Sequence, residues 1–384
     1  MQGTDYLVDN PADIGIDPAK LQDLLDRARK EVDEGLLPSA QIAIARNGKL
    51  AAFKTFGEAT NDSLYCIFSS TKAITSAAAW LLIQDGTLDI SIKVSEIVPE
   101  FSANGKQNIT IEQLFTHTAG FPHAPFRPTD WNDKARRAER YSAWTLNWEP
   151  GSRYEYHATS SMWMIAEIIE RLSGMSFTEF IREKIALPLG LPDLWVGCPI
   201  EQHNRITEVL HVGEALTSED YAKLGLPEPP VTEVTEEALT AFNNADTRLV
   251  GVPGGGGIAS AADLALFYQG LYQGLNNSKP WNQETLDFAL EVRTGDLVNP
   301  MVNVPVHRAL GVCIAGDEKR NLRGFGHPNS PTAFGHEGAG GQLGWFDPET
   351  GISVGYCTNG HDRNPIRMGR RGISISNKAA VCAI

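Results

Sequence analysis

The sequence predicts an α/β (α+β) protein: a sheet unit assembled from both ends of the chain, with a mainly helical region inserted between them. Three observations predict it. An Asn-Gly hairpin signal stands near the N-terminus, helical patterns dominate from about 90 to 290, and short strand-like runs fill the chain after about 300. On this reading the sheet unit takes 1–90 and 291–384 and the helical region takes 91–290.

The elements follow in order. "PAKLQDLLDRARKEVDEG" spaces Leu21, Leu24, Leu25 and Ala28 at helical intervals and stops at Gly35. "SAQIAIARNGKLAAFKTFGEA" alternates apolar and polar residues about Asn47-Gly48, which reads as a hairpin. A helix is expected from Ser69 to Gln84, closed by Gly86. "TIEQLFTHTAG" opens with Thr110 and Gln113 at capping-box spacing and is expected to run to Gly120. Further helices are read in "SSMWMIAEIIERLSG", "FTEFIREKIALPLG" and "ASAADLALFYQGLYQGL", with an acidic, Pro-rich loop "LPEPPVTEVTEE" before the last. "RALGVCIAG", "TAFGHEGAGGQLGWFDPE" and "GISVGYCTNG" read as strands. The C-terminal "RMGRRGISISNKAAVCAI" fits either a helix or a loose tail.

Composition narrows the function classes. The 384 residues carry a formal net charge of −14, which disfavours nucleic acid and anionic membranes as partners, since phosphate binding needs clustered Lys and Arg. No apolar run reaches the roughly 20 residues of a membrane span, and the first residues lack a signal-peptide pattern. Five scattered cysteines without a CxxC pair suit reduced thiols in the cytoplasm better than disulfides or zinc. No cofactor and no metal site is expected.

Chemistry concentrates in "FSSTKAIT". On a helix, Ser69 and Lys72 share one face, and a serine at a helix N-terminus feels the positive end of the dipole. A desolvated lysine can give up its proton and then accept one from the hydroxyl. A chain of this composition carries about one S-x-x-K by chance, so the motif alone also fits an ordinary polar helix start. Tyr154 and Tyr156 in "EPGSRYEYHATS" stand before a helix, where a tyrosine relays protons or simply packs. In "FGHEGAGGQLGWFDPE", His336 and Gly338 lie in a strand that either presents an N–H to a ligand oxygen or forms an edge bulge. His117 reads as structural, and "VPGGGG" lacks the lysine of a phosphate loop. Trp131, Trp144, Trp148 and Trp163 either line a cleft or fill the core. No H-E-x-x-H occurs, and the G-x-S-x-G letters of "GISVG" at 351–355 lie within a run read as a strand.

In order, "FSSTKAIT", "TIEQLFTHTAGFP", "EPGSRYEYHATS", "ALPLGLPDL", "GGGGIASAADLALF" and "FGHEGAGGQLGWFDPETG" resemble the serine β-lactamase and penicillin-binding-protein superfamily. The resemblance is strongest to class C β-lactamases and the β-lactamase-like family VIII carboxylesterases, over about 12 to 360. It implies a β-lactamase-like fold, an antiparallel sheet flanked by helices. It implies Ser69 as the acylated nucleophile, with Lys72 and Tyr156 as its proton partners, either one serving as the base. Ser69 and Ala339 N–H groups would form the oxyanion hole. His336, Gly338 and Tyr154 would contact the substrate, with His336-Glu337-Gly338 in place of the family's Lys-Thr/Ser-Gly.

Two departures bear on substrate. Ala158 stands where a serine or asparagine is usual, and removes a side chain that would hold Lys72 or a substrate amide. His336 replaces a permanent positive charge, and Glu337 beside it adds a negative one. Both turn the expectation from β-lactams toward small neutral esters and a carboxylesterase. An acyltransferase, an amidase or D-amino-acid peptidase, and a weak β-lactamase use the same acyl-enzyme, and a non-catalytic binding or assembly relative is the remaining alternative. The expected partner is a small-molecule acyl substrate, and the sequence leaves a homo-oligomer open.

Overall fold

A computed structural model of the chain describes residues 3–228 and 234–384. The hairpin forms where its turn chemistry requires. Ser39–Arg46 (β1) and Lys49–Gly57 (β2) pair antiparallel from Arg46↔Lys49 to Ser39↔Gly57. Asn47 and Gly48 both take positive φ, 54° and 70°, as a two-residue hairpin turn that matches strand twist needs.

The C-terminal part supplies Cys313–Ile314 (β3), Phe334–Gly335 (β4), Leu343–Asp347 (β5) and Ile352–Thr358 (β6). The sheet order is β2-β1-β6-β5-β4-β3, and every pairing is antiparallel. The β1–β6 ladder, Ala40↔Thr358 to Arg46↔Ile352, joins the two ends of the chain. The sheet is buried on both faces. Ala43 and Ala45 of β1 point into one apolar cluster, and Ile42 and Ile44 into another.

Helices Pro18–Asp33 (α1) and Pro365–Ala380 (α6) pack together over the second face, where Leu24 and Ile375 meet Val354 and Trp345. The C-terminal stretch is thus a helix. Asn364 caps it by accepting the N–H groups of Ile366 and Arg367. Ala261–Gln273 (α5) covers the first face against β1 and β6.

Thr71–Gln84 (α2) is the central helix. Most of its residues are buried, on all sides, as expected of a helix apolar all round. It packs against Ser160–Ser173 (α4). Trp80 is fully buried, and its indole N–H donates to Leu310 O at 3.1 Å. Trp80→Ala is expected to cost about 3–5 kcal/mol of folding stability by chemical denaturation, because it opens a cavity and strands that carbonyl.

Three readings need correction. The helix begins at Thr71, and Ser69 sits just before it in a 3-10 turn, Phe68–Ser70. The capping-box helix covers only Ile111–Phe115 (α3). Gln113 Oε1 accepts the Thr110 N–H as the capping box requires, but His117 then turns left-handed at φ 59° and the Thr118 N–H closes on Gln113 O at 3.0 Å. Histidine is among the residues that tolerate that region. Of the segment read as an acidic loop, 229–233 lie outside the described residues, and its end enters the helix Glu236–Thr240.

Three of the four tryptophans fill the core. Trp131, Trp144 and Trp163 are buried in one aromatic cluster with Phe126, whose ring centre lies 4.6 Å from that of Trp163. Trp148 is half-buried and donates to Glu155.

Candidate active site

Within "SSTKAIT" the polar side chains have separate tasks. Ser70 Oγ donates to His336 O at 2.8 Å. Thr71 Oγ1 donates to Phe68 O and accepts the Gly257 N–H, and Thr75 Oγ1 donates to Pro253 O. All three are buried, whereas Ser69 is half-exposed. Its turn is held by a small sheet in which Gly257–Ala259 pairs with Tyr65–Cys66. Phe68, just before the serine, has φ 43°, a strained value for a bulky residue.

Lys72 is fully buried. Its Nζ lies 2.7 Å from Ala158 O, 2.7 Å from Gly254 O and 3.2 Å from Ser69 Oγ. Burial, and then the nearby Arg308 charge, hold it well below the usual lysine range. In its neutral form the amine would have two N–H bonds, matched by the two carbonyls, and a lone pair toward Ser69. The backbone of Ala158 therefore does for Lys72 what its missing side chain would have done. The glycine run, unremarkable in sequence, supplies the second carbonyl.

Tyr156 is half-buried, with its hydroxyl sealed from solvent. That hydroxyl is turned to Ser69 but closes no hydrogen bond of ordinary geometry. Lys72 Nζ lies 4.8 Å from the ring centre, the His117 ring 4.7 Å and the His336 ring 6.0 Å. Burial raises the phenol's pKa, and Arg308 and Ser69 oppose that rise. Tyr154 is buried behind it, edge-on to His117 and against Arg308.

The segment after β4 closes the other side; the strand expected at His336 and Gly338 ends at Gly335, and Gly338 makes only an isolated bridge to Gln342. His336 is buried. Its Nδ1 faces Glu337 O at 2.6 Å and its Nε2 has no partner. Burial, then the Arg308 charge, push its pKa well below the usual histidine range. Glu337, the next residue, is exposed, and the Arg308 charge opposes the rise that burial gives its carboxyl pKa. At Gly338 a Cβ would stand 2.3 Å from Ile67 O, so only glycine lets this segment pass so close to the serine turn. Ala339 follows, half-buried against the Phe68 cluster.

His117 is structural in the sense expected. Its Nδ1 accepts the His157 N–H, and the His157 Nε2 in turn accepts the Phe121 N–H. Burial pushes His157 down to about 4 and His117 well down as well.

Arg308 is the residue that sequence reasoning missed. It is 8 % exposed, and its guanidinium carbon lies 5.5 Å from the Tyr156 ring centre and 6.0 Å from that of Tyr154. Among the described residues no carboxylate lies within ion-pair distance of Arg308 or Lys72. A lone arginine ahead of a short strand carries no spacing signal that could have found it. Among the described residues, no three His, Cys, Asp or Glu side chains gather as metal ligands. A cleft of about 380 Å³ holds Arg182, Asp193, Trp195 and Arg205, but none of the residues around Ser69.

The family model described as Beta-lactamase matches residues 24–373. The Esterase/beta-lactamase LipL of Mycobacterium tuberculosis is 25% identical over 318 residues, 78% of this chain and 70% of that protein. A solved family VIII carboxylesterase aligns with a TM-score of 0.77 at 24% identity, over 95% of this chain and 99% of that one. A penicillin-binding protein homolog from Caulobacter crescentus gives 0.76 at 24% identity, with the same coverage of 95% and 99%. At such identity the two structures establish the β-lactamase-like fold.

Proposed function

The chain belongs to the Beta-lactamase family, and on that premise we propose that it is a serine hydrolase acting through an acyl-enzyme, a carboxylesterase on small neutral esters. The observation that carries this reading is the half-exposed Ser69 hydroxyl 3.2 Å from a buried amine whose other two partners are carbonyls. In the first step Ser69 Oγ attacks the ester carbonyl carbon and its proton passes to the Lys72–Tyr156 pair. The carbonyl oxygen gains the charge, facing the N–H groups of Ser69 and Ala339. Collapse expels the alkoxide, which takes the proton back from the pair. Water then repeats the sequence on the acyl group and frees Ser69.

The neutrality of His336 supports neutral substrates, because no mobile cation replaces the family's lysine at that position. Phe242, Leu239 and Ala339, half-buried against the Phe68 cluster, offer an apolar surface for an acyl chain beside the serine turn. The five cysteines, all unpaired and buried, support a reducing, cytoplasmic setting. Among the described residues no helix is long and apolar enough to cross a membrane.

The test is hydrolysis of p-nitrophenyl acetate, butyrate and octanoate beside a chromogenic cephalosporin. Ester turnover with little cephalosporin cleavage is expected, and equal rates on both would overturn the substrate reading. His336→Lys is expected to raise the cephalosporin-to-ester ratio of kcat/KM about tenfold, by adding a charge-assisted contact to a carboxylate.

A further inference from the structure

Arg308 presents a physical problem. It is a permanent cation, it is buried, and its Nε and Nη1 have no acceptor and no solvent. Its Tyr154 contact offers one neutral hydroxyl, and among the described residues no carboxylate forms an ion pair with it, although Glu337 feels its charge at longer range. A buried cation with unpaired donors costs stability, and an apolar side chain of that size would serve packing better. Those two nitrogens are sealed from solvent, and the guanidinium stands over the rings of Tyr154 and Tyr156.

The groups that face it explain what the charge can do. Lys72 on α2, Tyr154 and Tyr156, His117 after α3, His157, His336 after β4 and Cys313 surround this pocket, and Glu337 adds a carboxyl group that couples to Arg308 without an ion pair. Lys72 Nζ stands 4.8 Å from the Tyr156 ring centre and Arg308 5.5 Å, which bounds the two cationic centres at about 10 Å apart. We propose that Arg308 is a positioning residue whose fixed charge keeps Lys72 an uncharged amine, so that Lys72 is the group that receives the Ser69 proton. A second positive charge on Lys72 would face Arg308 across a tyrosine, with no ion-pair partner for either among the described residues. The neutral amine suits the observed geometry, two N–H bonds to carbonyls and a lone pair to Ser69. The lowered affinity of Lys72, His117 and His336 for protons, in each case with Arg308 next after burial, agrees with this. The step balances: the O–H bond of Ser69 breaks, an N–H bond forms on Lys72, and the new charge returns to zero when the leaving alkoxide takes that proton.

The proposal rests on the esterase reading for its kinetic test, and a second test does not. The pH profile of kcat/KM on a p-nitrophenyl ester is measured for the wild type, Arg308→Met, Arg308→Gln and Arg308→Lys. Removing the charge is expected to move the acid limb up by about one pH unit, a tenfold loss at a fixed pH on the limb, while the alkaline plateau is kept. Arg308→Lys restores the limb. Titration of Lys72 by NMR of lysine labelled at Cε, assigned with Lys72→Met, is expected to show the same displacement. Arg308→Gln keeps a polar contact for Tyr154 should Arg308→Met not fold. A uniform rate loss with the limb unmoved would make Arg308 a packing residue only. A rise in KM confined to carboxylate-bearing esters would make it an anion anchor. Either overturns the proposal. If the wild type turns over no ester, the functional reading fails, and the NMR titration still decides the role of Arg308.

Discussion

Ser69→Ala is expected to lower kcat/KM on p-nitrophenyl butyrate at least about 10⁴-fold, to the background rate. The size follows from the site. Ser70, Thr71 and Thr75 each spend their hydroxyl on a buried neighbour, so no other hydroxyl of the turn can replace Ser69. The fold should survive, because Ser69 is half-exposed and its removal leaves Lys72 with both carbonyl partners. Unchanged thermal unfolding beside lost turnover is the expected pair of results. Near-wild-type turnover would remove Ser69 from the chemistry.

Lys72→Met is expected to lower kcat about 10³-fold, the usual scale of a positioned proton acceptor. Lys72→Arg should be as inactive. It keeps a positive charge at the site but holds its proton at every working pH. Activity retained in Lys72→Arg would mean that charge, not proton transfer, is what Lys72 supplies. Stability carries the same signature. Folding holds Lys72 below its ordinary pKa, so the unfolded chain binds a proton that the folded one resists. Relative to Lys72→Met, the wild type should therefore gain stability as pH rises toward the ordinary lysine value of about 10.4 and lose it as pH falls. Denaturation of both proteins across that range measures the difference.

How much of this the sequence carries depends on how local each signal is. Asn47-Gly48, the α1 periodicity and the Thr110–Gln113 capping box are set by neighbours in the chain, and each appears where the pattern placed it. The end of α3 is not local. Nothing in "THTAG" tells that His117 turns left-handed so that its ring can meet Tyr156, because that contact comes from residues 39 positions away. The six motifs mark Ser69, Lys72, Tyr156, His336 and Gly338, and the fold gathers all five. The backbone partners were invisible: a carbonyl has no side-chain identity, so neither Ala158 O nor Gly254 O could be read as a lysine acceptor. Arg308 was invisible for another reason. Its meaning lies in its burial beside Tyr156 without an ion-paired carboxylate, and that is a property of the packed structure rather than of any spacing. Three of the four tryptophans take the core-filling one of the two readings the sequence left open, and only packing decides between them.

The central claim is that Ser69 becomes acylated. Intact-mass and peptide mapping after exposure to a p-nitrophenyl alkylphosphonate tests it most directly. The account predicts one adduct, on the peptide carrying Ser69, forming in step with the loss of ester turnover. An adduct on another residue, or full inactivation with Ser69 unmodified, would contradict it.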